Sequence, residues 1–336
     1  MRFRGSRRKI APLCVSFGRI PVIMSGTLIL TGGTGLIGRY LSRAWLRRGG
    51  RVHILTRTPE KYASGPRLRY FGWNPLKRQI DSRVFEGADA LVHLAGANIG
   101  ARRWTEAYKA EMTGSRILSL KFLRQRMERE GIRLGSFAGA SAIGYYGCRT
   151  DKIPRTETDP PGDDFPARLA MAWEEESMRM RSVADRVSIL RTGVVFAPEA
   201  GALPKMLRPL RWGLPVILGS GRQYVNWIAA EDMARMYVHA LEEAWEGVYN
   251  AVAPRPVTYR ELIRTAARLK GIPCCLPPVP AGLLKLFLGE MACIVTEGMP
   301  VSAEKAARKG FKWKFTEVED YLRYIGWGGK AGSSAE

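Results

Sequence analysis

The sequence predicts an α/β fold: a doubly wound parallel sheet with helices on both faces, followed by a smaller C-terminal unit on the substrate side. Three observations carry this. Short apolar runs alternate with amphipathic stretches from Thr27 to about Pro198, the pattern of strands crossed over by helices. A glycine-rich turn, Gly32 to Gly38, lies between the first such run and the first amphipathic stretch. Beyond Pro198 the alternation loosens, and proline and glycine become frequent.

The elements follow in order. Thr27–Thr31 (TLILT) reads as a buried strand, and Gly38–Arg48 as a helix with Leu41, Ala44 and Trp45 on one face. Arg51–Thr56 and Ala88–Ala95 are strands, and Met112–Glu130 is a helical pattern closing at Gly131. Ser136–Ser141 is a strand, Phe165–Ser182 a helix and Val187–Val195 a further strand. Later helices are expected near Ala230–Ala244, Thr258–Lys270, Pro280–Leu288 and Ser302–Lys309. The expected division is an N-terminal extension over 1–24, a nucleotide-binding domain over 25–198 and a C-terminal domain over 199–330, interleaved with it.

Composition excludes several classes. Hydrophobic residues make up 46 % of the 336, enough for a sizeable core and too many for a disordered chain. Mean hydropathy is −0.16, and even the most apolar late stretch, Ala281 to Gly298, carries Lys285, Glu290 and Glu297, so no spanning helix is expected. The five cysteines form no Cys-x-x-Cys pair; neighbouring Cys274 and Cys275 read as reduced thiols of a reducing compartment. With three scattered histidines, no metal site is expected.

The net charge is +22. Such a surface attracts polyanions, but the cations are spread along the chain and form no nucleic-acid recognition motif. Arg2, Arg4, Arg7, Arg8, Lys9 and Arg19 stand in an acid-free N-terminal stretch ahead of Met24. It reads as an organellar presequence or as upstream sequence with Met24 the true start. The second fits better, because no helical apolar face develops. The protein is accordingly expected in the cytoplasm, or in an organellar matrix if the stretch is a presequence. Its expected partner is a small-molecule substrate, with no specific nucleic acid and no membrane, and the chain is a monomer or homodimer.

The glycine turn indicates the cofactor. Strand, turn and helix together form a Rossmann-type dinucleotide site. Gly32 permits the tight turn, Gly35 lets a pyrophosphate approach the backbone, and Gly38 lets helix and strand pack closely. Leu36 and Ile37 open the helix whose free N–H groups face the phosphates. The second strand ends Leu55-Thr56-Arg57, with no acid until Glu60. An acid there would bind a ribose 2′-hydroxyl, whereas the Arg57 guanidinium and the Thr56 hydroxyl suit a 2′-phosphate. NADP(H) is therefore expected rather than NAD(H).

The spacing T-G-x-x-G-x-x-G over Thr31–Gly38 resembles the extended short-chain dehydrogenase/reductase superfamily. The stretches His93–Ile99, Arg103-Trp104-Thr105, Gly114-Ser115-Arg116, Ser141–Gly147, Trp173-Glu174, Leu190–Val195, Gly219–Ile228, Leu288–Met291 and Gly310–Phe315 narrow the likeness. Together they resemble the "epimerase family protein" group of atypical NADP-binding reductases, over about Thr27 to Ile325. The resemblance implies that Thr56 and Arg57 meet the 2′-phosphate and that Leu94 and Ala95 lie beside the adenosine ribose and pyrophosphate. It also implies that Glu111 and Arg116 lie near the cofactor and Val195 near the nicotinamide end.

Ordinary members of that superfamily use a tyrosine acid/base, a lysine four residues later, and a serine. None of the twelve tyrosines here has Lys at i+4. Counted back from Glu174, the usual Lys and Tyr places fall near Ala170 and Pro166. The expected catalytic candidates are therefore Ser141, polarising a carbonyl, and Tyr145 or Tyr146, replacing the missing phenol. Gln223 is a candidate to hydrogen-bond substrate and Trp227 to stack on it. Buried His93 is expected to pack rather than react. The sequence supports an NADP(H)-dependent oxidoreductase or epimerase-like enzyme acting on a small carbonyl, alcohol or sugar-nucleotide. A non-catalytic NADP(H)-binding sensor is the alternative, and a nucleic-acid-associated protein is favoured by charge alone.

Overall fold

The computed structural model describes residues 26–329, so the N-terminal stretch ahead of Met24, Cys14 included, lies outside the described residues. Among the described residues twelve strands and ten α-helices follow one another: β1 (Thr27–Thr31), α1 (Leu36–Arg47), β2 (Arg51–Thr56), β3 (Leu68–Asn74), β4 (Gln79–Ile80), β5 (Ala88–His93), α2 (Glu106–Arg129), β6 (Leu134–Ala142), α3 (Phe165–Met178), β7 (Ala184–Thr192) and β8 (Val194–Phe196). The remainder are α4 (Ala202–Leu207), β9 (Tyr224–Val225), β10 (Trp227–Ala229), α5 (Ala230–Glu242), β11 (Gly247–Ala251), β12 (Val257–Thr258), α6 (Tyr259–Leu269), α7 (Ala281–Leu288), α8 (Cys293–Thr296), α9 (Glu304–Arg308) and α10 (Val318–Tyr324).

Eight strands form one sheet in the order β11-β7-β6-β5-β1-β2-β3-β4, parallel except where β4 turns back on β3. The order reverses direction between β1 and β5, and the crevice at the carboxyl ends of these two strands is where open α/β sheets bind ligands. Successive side chains of β1 face opposite layers. Leu28 and Leu30 pack with Leu41 and Trp45 of α1 and Met233 and Tyr237 of α5, while Ile29 packs with Leu120 and Leu123 of α2 and Phe137. This period of two fixes both faces of the sheet at once. A second core, with Phe196, Trp227, Tyr259, Leu262, Phe315 and Tyr321, builds the C-terminal part.

Four local differences from the sequence reading have physical causes. The long helix begins at Glu106 rather than Met112, because the Thr105 hydroxyl accepts the Tyr108 N–H and caps it there. The strand expected to run to Val195 breaks at Gly193, whose N–H turns to the Ala251 carbonyl at 3.0 Å. The helix from Phe165 stays α-helical to Met178 and tightens over Arg179–Ser182. The strand from Ala88 stops at His93, where the chain turns to the cofactor side.

Candidate active site

The turn between β1 and α1 has the shape a pyrophosphate needs. Gly32 has φ +67°, and a Cβ there would meet the Leu94 carbonyl carbon at 2.9 Å and the Ala95 nitrogen at 3.0 Å. A Cβ on Gly38 would fall 2.5 Å from the Gly32 oxygen. Both glycines are thus required by close approach. Gly35 is exposed at the turn, and Leu36 and Ile37 are half-buried behind it. The Gly35 N–H closes the turn on the Gly32 carbonyl at 3.0 Å.

The opposite wall is built by His93. Its Nδ1 lies 3.0 Å from the Thr31 hydroxyl and its Nε2 3.3 Å from the Ser119 hydroxyl. The Thr31 oxygen in turn accepts the N–H groups of Leu94 and Ala95, so His93 fixes the crossing of the two chain segments. Complete burial pushes its pKa down to about 3, and the ring stays neutral. Arg116 on α2 donates to the carbonyls of Met112 and Ala97 and lies over the Trp173 ring. Among the described residues it has no carboxylate partner and its Nε is buried without an acceptor, and burial lowers its pKa to about 10. A half-buried, incompletely satisfied cation beside the turn suits a bound anion. Thr56 ends β2, and Arg57 after it is exposed and makes no ion pair among the described residues. Glu111 is exposed and paired to Arg102. Val195 is half-buried in β8 and its carbonyl faces Gly201, against Leu36.

A buried polar cluster fills the neighbouring carboxyl end of the sheet, where Ser141 of β6 and Arg191 of β7 are register partners. Glu174 of α3 accepts the Ser141 hydroxyl at 2.6 Å and the Arg191 Nε at 2.8 Å on one oxygen. Its other oxygen accepts Arg191 Nη2 at 2.9 Å. Burial works against the Arg191 charge, but the hydrogen bonds and charge of Glu174 outweigh it and leave the pKa raised. The guanidinium carbon sits 3.3 Å from the centroid of the Tyr145 ring, a cation–π stack.

The two tyrosines differ in kind. Tyr146 is buried, donating its hydroxyl to Asn250 Oδ1 at 2.7 Å and accepting from Arg191 Nη1 at 3.0 Å. Burial pushes its pKa up to about 12, so its proton is firmly held. Tyr145 is half-buried and lines a shallow cleft of about 450 Å³ with Arg168, Met171, Glu174 and Glu175. The usual Tyr and Lys places of α3 hold Pro166 and Ala170, both buried and without polar side chains.

Three expectations need correction. Trp227 has 0 % exposure and is sandwiched with Phe196 and Tyr321, so no ring face is left for a substrate. Gln223 is buried and donates to the carbonyls of Leu218 and Val295, bracing the backbone. The Ser141 hydrogen, expected to point at a carbonyl, is engaged by Glu174. Sequence reasoning assigned no role to Glu174 or Arg191, although an arginine inside the apolar run Val187–Val195 was a signal: a buried cation demands a partner.

Fold and turn define a dinucleotide-binding short-chain reductase architecture of the extended type. Residues 28–251 match the NAD dependent epimerase/dehydratase family, and residues 279–325 match a domain of unknown function, DUF1731. The chain belongs to that epimerase/dehydratase family. It is 31 % identical over 299 residues to the epimerase family protein YfhF of Bacillus subtilis, covering 89 % of this chain and 97 % of that one. The human epimerase family protein SDR39U1, crystallised with NADPH, superposes with a TM-score of 0.76 at 28 % identity, over 89 % of this chain and 98 % of that one. A nucleoside-diphosphate sugar epimerase from Corynebacterium glutamicum gives 0.71 at 26 % identity, over 92 % of this chain and 60 % of that one.

Proposed function

We propose that the protein is an NADP(H)-dependent oxidoreductase or epimerase-like enzyme whose substrate, a small carbonyl, alcohol or sugar-nucleotide, enters the cleft beside Tyr145. The observation that carries the cofactor is the glycine cradle combined with an exposed, unpaired Arg57 in the place of a ribose-binding acid. Gly32, Gly35, Gly38 and the N–H groups at the start of α1 hold the pyrophosphate. Thr56 and Arg57 hold the 2′-phosphate, with Arg116 behind the turn, Leu94 and Ala95 along the ribose side, and Val195 toward the nicotinamide. Glu111 acts at one remove, through the exposed Arg102. Bound NADP(H) supplies or accepts the hydride.

The chain's own residues handle the proton. Tyr145 is the proton donor to the substrate oxygen, and Arg191, stacked on its ring, stabilises the phenolate left behind. Glu174 anchors Arg191 and accepts the hydrogen bond of the Ser141 hydroxyl, so Ser141 acts as an acceptor that orients a hydroxyl. Tyr146 buttresses Arg191 from the buried side. Gln223 and Trp227 hold the C-terminal part in place. In Tyr145→Phe the rate of NADPH oxidation with a turned-over carbonyl should fall about 10²–10⁴-fold at unchanged NADPH affinity. Wild-type rates in that variant would remove Tyr145 from the chemistry. The missing tyrosine–lysine pair at Pro166 and Ala170 favours a second reading, an NADP(H) sensor without turnover. A broad carbonyl and sugar-nucleotide screen that yields no NADPH consumption selects it.

A further inference from the structure

A strap of chain, residues 280–298, packs against the N-terminal ends of α2 and α3. It carries α7 and α8. Among its residues Ala292 alone is buried, and Leu286 and Phe287 of α7 are 70 % and 66 % exposed. At its foot, Val279 pairs with the 217–219 segment and Gln223 donates to the Val295 carbonyl. The Tyr224 N–H donates to the Gly298 carbonyl at 3.1 Å, and two surface contacts add to this, Lys109 to Glu290 at 2.7 Å and Thr150 to Glu297 at 2.5 Å. Exposed pairs of this kind each contribute little. Met291 and Cys293 rest on Trp104, Tyr108 and Leu169, at the N-terminal ends of α2 and α3.

Against these weak ties stands one covalent one. Cys293 of the strap is joined to Cys148, with Cα atoms 5.7 Å apart and a sequence separation of 145. Cys148 is three residues beyond Tyr145, and its N–H is held by Asp164, the residue that caps α3. Both cysteines are only half-buried, within reach of a small thiol or disulfide.

We propose that Cys148 and Cys293 are a reversible redox site: a clasp that ties the strap to the segment following Tyr145 when oxidised and frees it when reduced. Any effect of the clasp on turnover rests on the reading of the Tyr145 cleft as the active site. Closure is thiol–disulfide exchange with a small disulfide such as oxidised glutathione. One cysteine thiolate attacks it, giving a mixed disulfide and releasing one glutathione thiolate. The other cysteine, losing its proton to solvent, displaces the second glutathione thiolate and leaves the internal disulfide. The protein loses two protons and two electrons, the electrons passing to oxidised glutathione, and excess reduced glutathione runs the sequence backwards.

The test uses the full chain equilibrated in reduced and in oxidised glutathione buffers. Unreduced digests are searched for the Cys148–Cys293 peptide pair, and limited trypsin digestion follows cleavage at Lys285 on α7. The expected result is a peptide pair that appears on oxidation, vanishes on reduction, and slows cleavage at Lys285 by about tenfold or more. Cys148→Ser and Cys293→Ser should each cleave at the fast rate in both buffers, whereas a Cys274→Ser/Cys275→Ser variant keeps the difference. Alkylation of reduced wild-type protein gives the same comparison if a variant fails to fold. Absence of the peptide pair in oxidised buffer, its persistence under reduction, or equal cleavage in both states overturns the clasp. Cleavage needs no turnover, so a protein without reductase activity would refute the catalytic reading while the clasp is still judged on its own data.

Discussion

Removing Arg191 alone should cost more stability than removing Arg191 and Glu174 together. The guanidinium and the carboxylate share two charge-assisted hydrogen bonds, at 2.8 and 2.9 Å, and Glu174 also takes Ser141 at 2.6 Å. Arg191→Met leaves a carboxylate at 8 % exposure with one neutral donor in place of three bonds. Breaking a buried pair from one side typically costs about 3–5 kcal/mol, a large share of the ~5–15 kcal/mol that keeps a domain folded. Glu174→Leu strands the guanidinium instead and should cost a similar amount. Replacing both by apolar residues removes the uncompensated charge, and such replacements are often near neutral. The double variant should therefore lie within about 2 kcal/mol of wild type, a coupling on the order of 3 kcal/mol or more. Urea unfolding followed by tryptophan fluorescence and circular dichroism measures the four proteins, with unchanged m-values as the check on the unfolding transition. Additive losses, or single variants costing less than about 1 kcal/mol, would refute the assignment of a buried pair as the organiser of this site.

Other consequences follow from the same geometry. His93 has its pKa lowered by burial to about 3, so between that value and its unfolded pKa near 6.5 the unfolded chain binds the extra proton. Stability should thus fall as pH drops through this window, by up to about 1.4 kcal/mol per pH unit. The pH dependence of urea midpoints should flatten in His93→Gln, and an unchanged slope there would remove His93 as its source. Gly38→Ala places a methyl 2.5 Å from the Gly32 oxygen and should abolish NADPH binding or folding, read by cofactor fluorescence and circular dichroism. Trp227→Ala should cost about 3–5 kcal/mol in unfolding experiments by emptying the core, with the NADPH Kd of the folded fraction unchanged. Tyr146→Phe should lower the melting temperature through the lost bonds to Asn250 and Arg191, while Tyr145→Phe should leave it nearly unchanged.

The parts of this fold legible in the sequence are those fixed by short-range pattern. The runs Thr27–Thr31 and Arg51–Thr56 are apolar over a strand's length and bounded by glycine or charge, and both strands fall at those limits. The Gly32–Gly38 turn is legible because each glycine answers a local steric demand. Strands β3 and β11 were not anticipated. Arg69 and Gly72 interrupt the apolar pattern of β3, and β11 reaches the sheet only after the chain has passed through the C-terminal part. Trp227 differs for a related reason: the resemblance to extended members places its stretch at the substrate cleft, but long-range packing brings Phe196 and Tyr321 onto the ring. The Glu174–Arg191 pair and the Cys148–Cys293 bond join residues whose contact depends on the finished topology, and neither spacing carries a sign of it.

The measurement that bears most directly on the account is a paired titration of the full chain with NADPH and NADH, before and after Arg57→Asp. Arg57 is exposed, makes no ion pair among the described residues and is the proposed 2′-phosphate contact, and a charge-assisted contact of about 1.5–3 kcal/mol corresponds to roughly 10–100-fold in affinity. Wild type should prefer NADPH by that factor or more, and Arg57→Asp should reverse the order by placing a ribose-binding carboxylate in the same position. Equal affinities in the wild type, or a preference for NADPH that survives the substitution, would contradict it.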